Sequence, residues 1–217
     1  MEVHQDRHTH ASMSPARIET LADGVFAIAM TLLAFNLAVP IIDPSKAAAD
    51  LPGELEKLLP NFALYAISFV VLGVYWVAHH AQFRVIDAAD RTFLWINIVF
   101  IMLVAFVPFS TSLISRYWYV PIAVQVYGIV LLLIGGAMYL HLSYAVKDHR
   151  LIPATTPDEL IRLARRRILV GPVVCSVAIL VAFVSPFVSI VLYALLPPFY
   201  IVPGALDRLV FLREARV

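Results

Sequence analysis

The feature that most constrains this chain is an apolar stretch near its N-terminus, residues 17–40, with the sequence RIETLADGVFAIAMTLLAFNLAVP. Between Leu21 and Val39 its one ionisable residue is Asp23. About 20 apolar residues in an α-helix cross the hydrocarbon core of a bilayer, so the stretch predicts a membrane-spanning helix with a buried acid near one end. Because a carboxylate inside a membrane is costly, Asp23 becomes a candidate functional residue.

The composition predicts an all-α polytopic membrane protein. The 217 residues are 61% hydrophobic and 14% charged, with a mean hydropathy of +0.86, whereas soluble domains contain about 25% charged residues. Further apolar runs at 61–80, 92–115, 120–144, 168–184 and 187–206 bring the predicted number of transmembrane helices to six per subunit. We expect a disordered cytoplasmic tail over 1–16, a six-helix transmembrane domain over 17–206 and a cytoplasmic C-terminal tail over 207–217.

The distribution of basic residues predicts the orientation. With the N-terminus inside, every Lys and Arg lies on the inner side except Lys46, Lys57 and Arg116. Because inner loops of membrane proteins carry the excess of positive charge, both termini are expected to be cytoplasmic. The cluster at 165–167, three consecutive arginines, favours contact with anionic inner-leaflet lipids over nucleic-acid binding.

The first span carries an apolar stripe with helical spacing. Ile28, Leu32 and Phe35 follow one another at i, i+4 and i+7, with Thr31 beside them. Small residues that allow close helix packing occur in the same span, at Gly24, Ala27, Ala34 and Ala38. The stripe either packs on neighbouring helices or lines a pathway, and the spacing alone leaves both interpretations open.

The predicted topology brings six polar side chains to a similar depth near the inner surface. This polar belt consists of Arg17, Asp23, His79, His80, Asp90 and Asn97. One interpretation is a pairing network that satisfies the buried acid and fixes the first three helices against each other. The other is a network that holds or gates the first helix. Since histidine titrates near neutral pH, protonation of His79 or His80 would then bias the gate.

The sequence predicts no metal site, no cofactor and no enzymatic activity. His79 and His80 are adjacent and point about 100° apart on a helix, which makes them a poor pair of metal ligands. The histidines of the N-terminal tail belong to a flexible segment that does not fix ligand geometry. Neither a Ser/His/Asp set nor a zinc motif such as H-E-x-x-H occurs at matching depth.

Three blocks of this sequence resemble the bacterial relatives of the lysosomal potassium channel called transmembrane protein 175. The first is Arg17 followed by LADGVFAIAMTLL at 21–33. The second includes WVAHH at 76–80, together with Tyr65, Ser68, Phe69, Phe83 and Asp90. The third contains Asn97 and PFST at 108–111, before Tyr117. In the first block Leu21 and Ala22 replace the Phe and Ser of the family, which removes a hydroxyl beside Asp23.

The resemblance implies a homotetramer of six-helix subunits whose first helices surround a central cation pathway. The family lacks the carbonyl filter of ordinary potassium channels, and this sequence has no TVGYG-like segment. By position, Ile28 corresponds to the narrowest point, Leu32 and Phe35 follow on the same stripe, and Thr31 matches the family's threonine. Hydrophobic constrictions gate by dewetting, so the implied function is a passive, potassium-preferring cation channel with K+ as the permeant ion.

Two other functions remain alternatives at this point. A proton-coupled or proton-conducting secondary transporter would use Asp23 with His79 and His80 as a relay. The other spans have no ionisable residues near their midplanes, so such a relay would end at the inner surface. A membrane protein with a purely structural role is the second alternative.

Overall fold

The structure is a computed structural model that describes residues 14–202. Its helices are α1 (Pro15–Leu32), α2 (Ala47–Lys57), α3 (Leu59–Phe83), α4 (Arg91–Tyr117), α5 (Pro121–Val146), α6 (Asp158–Val181) and α7 (Pro186–Ile201). Short 3-10 turns follow α1, at Leu33–Asn36, and α5, at Lys147–His149. The all-α class predicted from the sequence is confirmed. Most of the predicted N-terminal tail and all of the C-terminal tail lie outside the described residues.

The helix starts follow from local sequence. A proline lies at the first or second position of α1, α3, α5 and α7, where its missing N–H removes no helical hydrogen bond. Helix α4 begins instead with an N-cap, because the Asp90 carboxylate accepts a hydrogen bond of 2.9 Å from the backbone N–H of Phe93. Such caps satisfy one of the free N–H groups at a helix start.

Four helical segments are long and apolar enough to cross a membrane, namely Pro15–Asn36, Leu59–Phe83, Arg91–Tyr117 and Pro121–His149. They correspond to the first four predicted spans. Helix α6 is 24 residues long but begins with charged residues, and α7 is a shorter apolar helix of 16 residues. The chain is therefore an integral membrane protein in which length and composition identify four spans directly.

Two segments differ from their sequence-based description. The sequence between the first two predicted spans, at 41–60, is polar and predicts an external loop, but it contains helix α2, none of whose residues is buried. The polar sequence between the fourth and fifth predicted spans, at 147–167, predicts a connector, but helix α6 already begins there at Asp158. The acidic side chains of Asp158 and Glu159 lie in its first turn, where they interact favourably with the positive end of the helix dipole. The Arg-rich cluster at 165–167 is consequently helical.

Helix α5 forms the centre of the subunit, packed against α4, α6 and α7. Two glycines allow these close contacts. A Cβ atom at Gly128 would overlap the Tyr193 hydroxyl and lie 2.8 Å from Ile179 Cγ1, and one at Gly135 would lie 2.9 Å from Pro172 Cγ. Both distances are shorter than any van der Waals contact, so the packing of α5 against α6 and α7 requires glycine at these positions.

Candidate functional site: the first helix and its contacts

Helix α1 and the turn after it bury one stripe of side chains against α3 and α4. The buried positions recur every three or four residues, at Ile18, Ala22, Phe26, Ala29 and Leu33. The Phe26 ring is 5.9 Å from the Phe100 ring of α4 and 6.3 Å from the His79 ring of α3, measured between centroids. This spacing is that of an amphipathic helix, so α1 has one face fixed by its own subunit.

The predicted pore-lining residues lie on the other side of α1. Ile28 is 61% exposed, Leu32 43% and Phe35 82%, the last lying in the 3-10 turn after α1. Thr31 is also exposed, and its hydroxyl donates a hydrogen bond of 2.8 Å to the carbonyl of Ile28. The stripe therefore does not pack on the other helices of the subunit, and its pore-lining role remains a prediction.

Small residues accompany this exposed stripe. Gly24, Ala27 and Ala34 are exposed, and a Cβ atom at Gly24 would have no neighbour within 4 Å. Because small residues let helix backbones approach closely within a membrane, this side of α1 is shaped to receive another helix. Within residues 14–202, no other helix packs against the exposed Gly24.

Two polar pairs connect α1 to α3 at the edge of the exposed stripe. The indole N–H of Trp76 donates a hydrogen bond of 2.8 Å to the Asp23 carboxylate. One turn nearer the N-terminus of α1, the Nδ1 atom of His80 lies 2.7 Å from the Glu19 carboxylate. The partners are four residues apart on both helices, and the Trp76 and His80 rings are stacked at 6.1 Å. These pairs fix the rotation of α1 about its own axis.

A second set of polar contacts is buried where α3 meets α4 and α5. The Nε2–H of His79 donates a hydrogen bond of 2.9 Å to the side-chain oxygen of Asn97, and the His79 ring stacks on Phe100 at 5.1 Å. Nearby, the Nδ1–H of His141 donates to the Gln82 side-chain oxygen at 2.7 Å. Buried polar groups of this kind are costly unless paired, so these contacts hold the three helices in register.

Asp90 lies outside the spanning segments, at the start of α4. Besides the Phe93 N–H, it accepts hydrogen bonds from the Tyr144 hydroxyl at 2.7 Å and from Arg150 Nε at 3.1 Å. Partial burial of the carboxylate raises its pKa, but the hydrogen bonds and the Arg150 charge together outweigh this effect, so the pKa of Asp90 lies below its ordinary value. Asp90 thereby connects the start of α4 to the end of α5.

The structure therefore divides the predicted polar belt into separate groups. Asp23 pairs with Trp76 and His80 with Glu19 across the α1–α3 contact. His79 and Asn97 pair inside the bundle. Asp90 contacts α5 and the turn after it rather than α1, and the Arg17 side chain is exposed.

Sequence reasoning missed six side chains in these contacts, namely Glu19, Trp76, Gln82, His141, Tyr144 and Arg150. His141 carried a usable signal, because it is an ionisable residue within the apolar run of the fourth span. Glu19 also carried one, since it precedes Asp23 by one helical turn. Within residues 14–202, no group of three or more His, Cys, Asp or Glu side chains is arranged to hold a metal ion.

Comparison with protein families places this arrangement among known channels. The family model described as "Endosomal/lysosomal potassium channel TMEM175" matches residues 17–108. A protein named potassium channel from Streptomyces collinus is 31% identical over 192 residues, which cover 85% of this chain and 90% of the relative. A potassium channel from Chamaesiphon minutus is 32% identical over 180 residues, covering 80% and 87%. The human endosomal/lysosomal proton channel TMEM175 is 27% identical over 208 residues, covering 91% of this chain and 41% of the human protein.

Solved structures show the same similarity. The crystal structure of a lysosomal potassium-selective channel TMEM175 homologue from Chamaesiphon minutus matches with a TM-score of 0.75 and 29% identity, covering 86% of this chain and 95% of that one. The potassium channel MtTMEM175, in its T38A variant, matches with a TM-score of 0.59 and 18% identity, covering 92% and 93%. The second match supports the fold alone.

Proposed function

The chain belongs to the TMEM175 family, and from this membership we propose that it is a potassium-preferring cation channel that conducts passively along α1. The observation that carries the proposal is the exposed stripe of Ile28, Thr31, Leu32 and Phe35, on the side of α1 opposite its buried stripe. Relatives that match over most of their length are named potassium channels. Such a channel catalyses no reaction, and we propose that K+ passes through it without a cofactor.

We propose that four copies assemble with their α1 helices around a common axis. Close approach of the four helices is favoured by the exposed small residues Gly24, Ala27 and Ala34. Four Ile28 side chains would then form a dry ring, with Leu32 and Phe35 further along the same pathway. An ion crosses such a ring by shedding water or when the ring widens. Potassium is more weakly hydrated than sodium and would cross more easily, and the Thr31 oxygen supplies one of the few polar atoms on the way.

We also propose that α6 and α7 complete six spans per subunit. At about 1.5 Å per residue, the 24 residues of α6 measure about 36 Å and the 16 residues of α7 about 24 Å. Both pack on α5, which is itself long enough to span. With an even number of spans, both termini lie in the cytoplasm, and the cluster at 165–167 meets anionic lipids of the inner leaflet in a bacterial plasma membrane.

Ion flux from liposomes reconstituted with the purified protein tests this function. The liposomes are placed in a potassium gradient, and a proton ionophore lets protons cross in the opposite direction so that charge does not build up. We expect potassium flux that depends on the ionophore. Flux should be smaller in a matched sodium gradient. Absence of flux in both salts, from protein that elutes as a folded tetramer, would contradict the proposal. Chemical crosslinking and mass measurement of the purified protein test the number of subunits separately.

A second candidate function is supported by a specific observation. The curated relatives from human and mouse are named proton channels, and this chain places four ionisable side chains at the α1–α3 contact and beneath it: Glu19, Asp23, His79 and His80. These residues would carry protons as a conducting path or as part of a proton-coupled transporter. The separate pairs do not connect into one hydrogen-bonded chain, so we rank this function below passive potassium conduction.

Replacing Asp23 with Asn distinguishes the two functions. The amide retains an oxygen that accepts the Trp76 hydrogen bond but cannot carry a proton at neutral pH. We expect potassium flux and tetramer yield close to those of the unsubstituted protein. A pH-sensitive dye inside the liposomes reports proton movement in the same preparation. Loss of proton flux with normal assembly would favour the proton pathway, whereas reduced assembly would assign Asp23 a structural role.

A further inference from the structure

An apolar crevice opens on the surface of the bundle between α3, α5, α6 and α7. The residues that line it include Ala78, Gly135, Ile168, Pro172, Pro197 and Tyr200. Each of the four helices contributes at least one lining residue that has no long side chain, and the lining is almost entirely apolar.

The polar atoms beside the crevice already have partners within the chain. The Tyr200 hydroxyl accepts a hydrogen bond of 2.9 Å from the Gly171 N–H and donates one of 3.0 Å to the Arg167 carbonyl. The Tyr75 hydroxyl donates to the Leu131 carbonyl at 2.9 Å. The crevice consequently offers contact to apolar groups and no free polar partner, so its walls suit an alkyl chain rather than a polar solute or an ion.

Positive charge lies at one end of this crevice. Arg165 precedes Ile168 by three residues and Pro172 by seven, so it shares their face of α6 one turn beyond the crevice. Its Nε atom is buried and makes no hydrogen bond within residues 14–202. Arg162 and Arg166, on the neighbouring face of α6, are exposed. Guanidinium groups bind phosphate through paired hydrogen bonds, and an unpaired buried donor is costly without such a partner.

We propose that the crevice and Arg165 together bind one anionic phospholipid per subunit. An acyl chain lies along the apolar wall formed by Ala78, Ile168 and Pro172, and the phosphate accepts a hydrogen bond from Arg165. The charged end and the apolar end of the site are in line on α6, which matches the arrangement of a phospholipid and of no water-soluble anion. The site is separate from the exposed stripe of α1, so the lipid binds the outside of the bundle rather than the ion pathway.

Native mass spectrometry tests the head-group part of this site. The full-length protein, purified in a neutral detergent, is incubated with equal amounts of phosphatidylglycerol and phosphatidylcholine. We expect retention of one phosphatidylglycerol per chain in preference to phosphatidylcholine. Arg165→Gln should reduce this retention about fivefold, which corresponds to about 1 kcal/mol for one Lys or Arg at an anionic lipid. Arg165→Lys, which keeps the charge, should retain most of it.

The control for charge is Arg91→Gln, which removes an exposed arginine from the start of α4, a helix that does not line the crevice. It should leave phosphatidylglycerol retention unchanged. Equal retention of the two phospholipids by the unsubstituted protein would overturn the proposal. So would equal effects of Arg165→Gln and Arg91→Gln. Elution volume and melting temperature of each variant show that the comparison is made between folded proteins.

Two further variants test the acyl-chain part. Ala78→Phe fills the crevice without changing charge and should lower retention at least as much as Arg165→Gln. A photo-crosslinking amino acid in place of Val74, another lining residue, should add the mass of one phospholipid on illumination. A crosslink to a second copy of the chain would instead assign the crevice to a subunit contact and overturn the proposal. Lipid retention is measured without ion flux, so this proposal and the channel function fail independently.

Discussion

Helices α5 and α1 are both apolar enough to span a membrane, but they are buried to different extents. Among the 18 consecutive residues of highest hydropathy, 56% are buried within the chain in the segment that contains α5. The corresponding share in the segment that contains α1 is 28%. Helix α5 contacts α4, α6 and α7, and glycines bring it close to two of them. Helix α1 buries a single stripe. A larger share of α5 than of α1 is therefore buried within one subunit.

Lipid covers apolar surfaces in a membrane, so exposure alone does not identify what lies against α1. The exposed side of α6 provides the comparison, since Leu169, Val173, Val177 and Leu180 are exposed there with one small polar residue, Ser176, among them. The exposed side of α1 carries Thr31 and in addition three small residues, Gly24, Ala27 and Ala34. Small and polar residues are typical of helix–helix contacts and pathways in membranes. The difference favours protein and permeating ions as the neighbours of α1.

The largest expected effect distinguishes the two sides of α1. Phe26→Ala removes a ring that is 1% exposed, and we expect a loss of about 3–5 kcal/mol in the free energy of unfolding, the usual cost of such a cavity. Ile28→Ala, on the exposed side, should change the stability of the subunit by less than about 0.5 kcal/mol. Denaturant unfolding in detergent under conditions that keep the protein monomeric measures both. Equal losses of unfolding free energy in the two variants would show that the two sides of α1 do not differ in packing.

Two glycine substitutions, one on α5 and one on α1, extend the comparison to α5. Gly128→Ala places a Cβ atom where it overlaps the Tyr193 hydroxyl, and we expect it to destabilise the subunit by about 3 kcal/mol, the upper part of the range for overpacking. Gly24→Ala meets no neighbour within 4 Å and should stabilise an isolated α1 by up to about 1 kcal/mol. Melting temperatures in detergent measure both.

Oligomer yield provides the second measurement for the Gly24 variant. If four α1 helices approach one another at Gly24, the added methyl group should reduce the yield of tetramer even though the subunit is no less stable. An unchanged yield of tetramer would contradict close packing at this position. Gly53→Ala serves as the control, because Gly53 also has no neighbour within 4 Å but lies in α2.

Much of the fold was predictable because span length and hydropathy are local properties. The first four spans agree with helices to within three residues at each end, apart from the C-terminal ends of the first and the fourth, where the 3-10 turns finish at Asn36 and His149. Helix α2 was missed because its mixture of charges and Pro52 resembles a loop, and none of its residues is buried. The early start of α6 was missed because hydropathy identifies membrane crossing, not where a helix begins.

The candidate site was predictable in its residues but not in its pairing. Depth along each span correctly suggested that His79 and Asn97 lie at the same level, and they form a hydrogen bond. Depth does not determine the rotation of a helix, and rotation decides that His80 faces Glu19 while Asp90 faces Tyr144 and Arg150. The Trp76 indole N–H donates to the Asp23 carboxylate, a pairing that the sequence does not show because it depends on how α1 and α3 face each other.

Matched substitutions on the exposed sides of α1 and α6 test whether these two sides differ in function. Ile28→Asn places an amide in the proposed ring, which should admit water, raise potassium flux and weaken the preference over sodium. Lowering the barrier by about 1.4 kcal/mol raises flux tenfold, and we expect an effect on the order of that size. Val173→Asn is the matched control, because Val173 is 60% exposed and Ile28 61%. Liposome flux measures both, and an unchanged potassium-to-sodium ratio in Ile28→Asn would argue against the ring.

The smallest expected effect concerns Asp90, which joins α4 to α5 and has no contact with the exposed stripe. Because its pKa in the folded protein lies below the ordinary value of 3.8, its charged form stabilises the fold. This contribution is fully present above about pH 5 and is lost as the pH falls through the pKa of the folded state. Asn keeps the N-cap but removes the charge facing Arg150. Asp90→Asn should therefore cost less than about 1 kcal/mol at pH 7, the value of an exposed ion pair.

The two proteins should accordingly approach the same melting temperature as the pH falls below the ordinary aspartate pKa and then through the lower pKa of the folded state, where the unsubstituted carboxylate also becomes neutral. Asp50→Asn, on the exposed helix α2, should leave the pH dependence of melting unchanged. A difference between Asp90→Asn and the unsubstituted protein that stays constant down to about pH 2 would show that the Asp90 charge does not stabilise the α4–α5 contact. Potassium flux at pH 7 should be unaffected, because Asp90 contacts Tyr144 and Arg150 rather than the exposed stripe of α1.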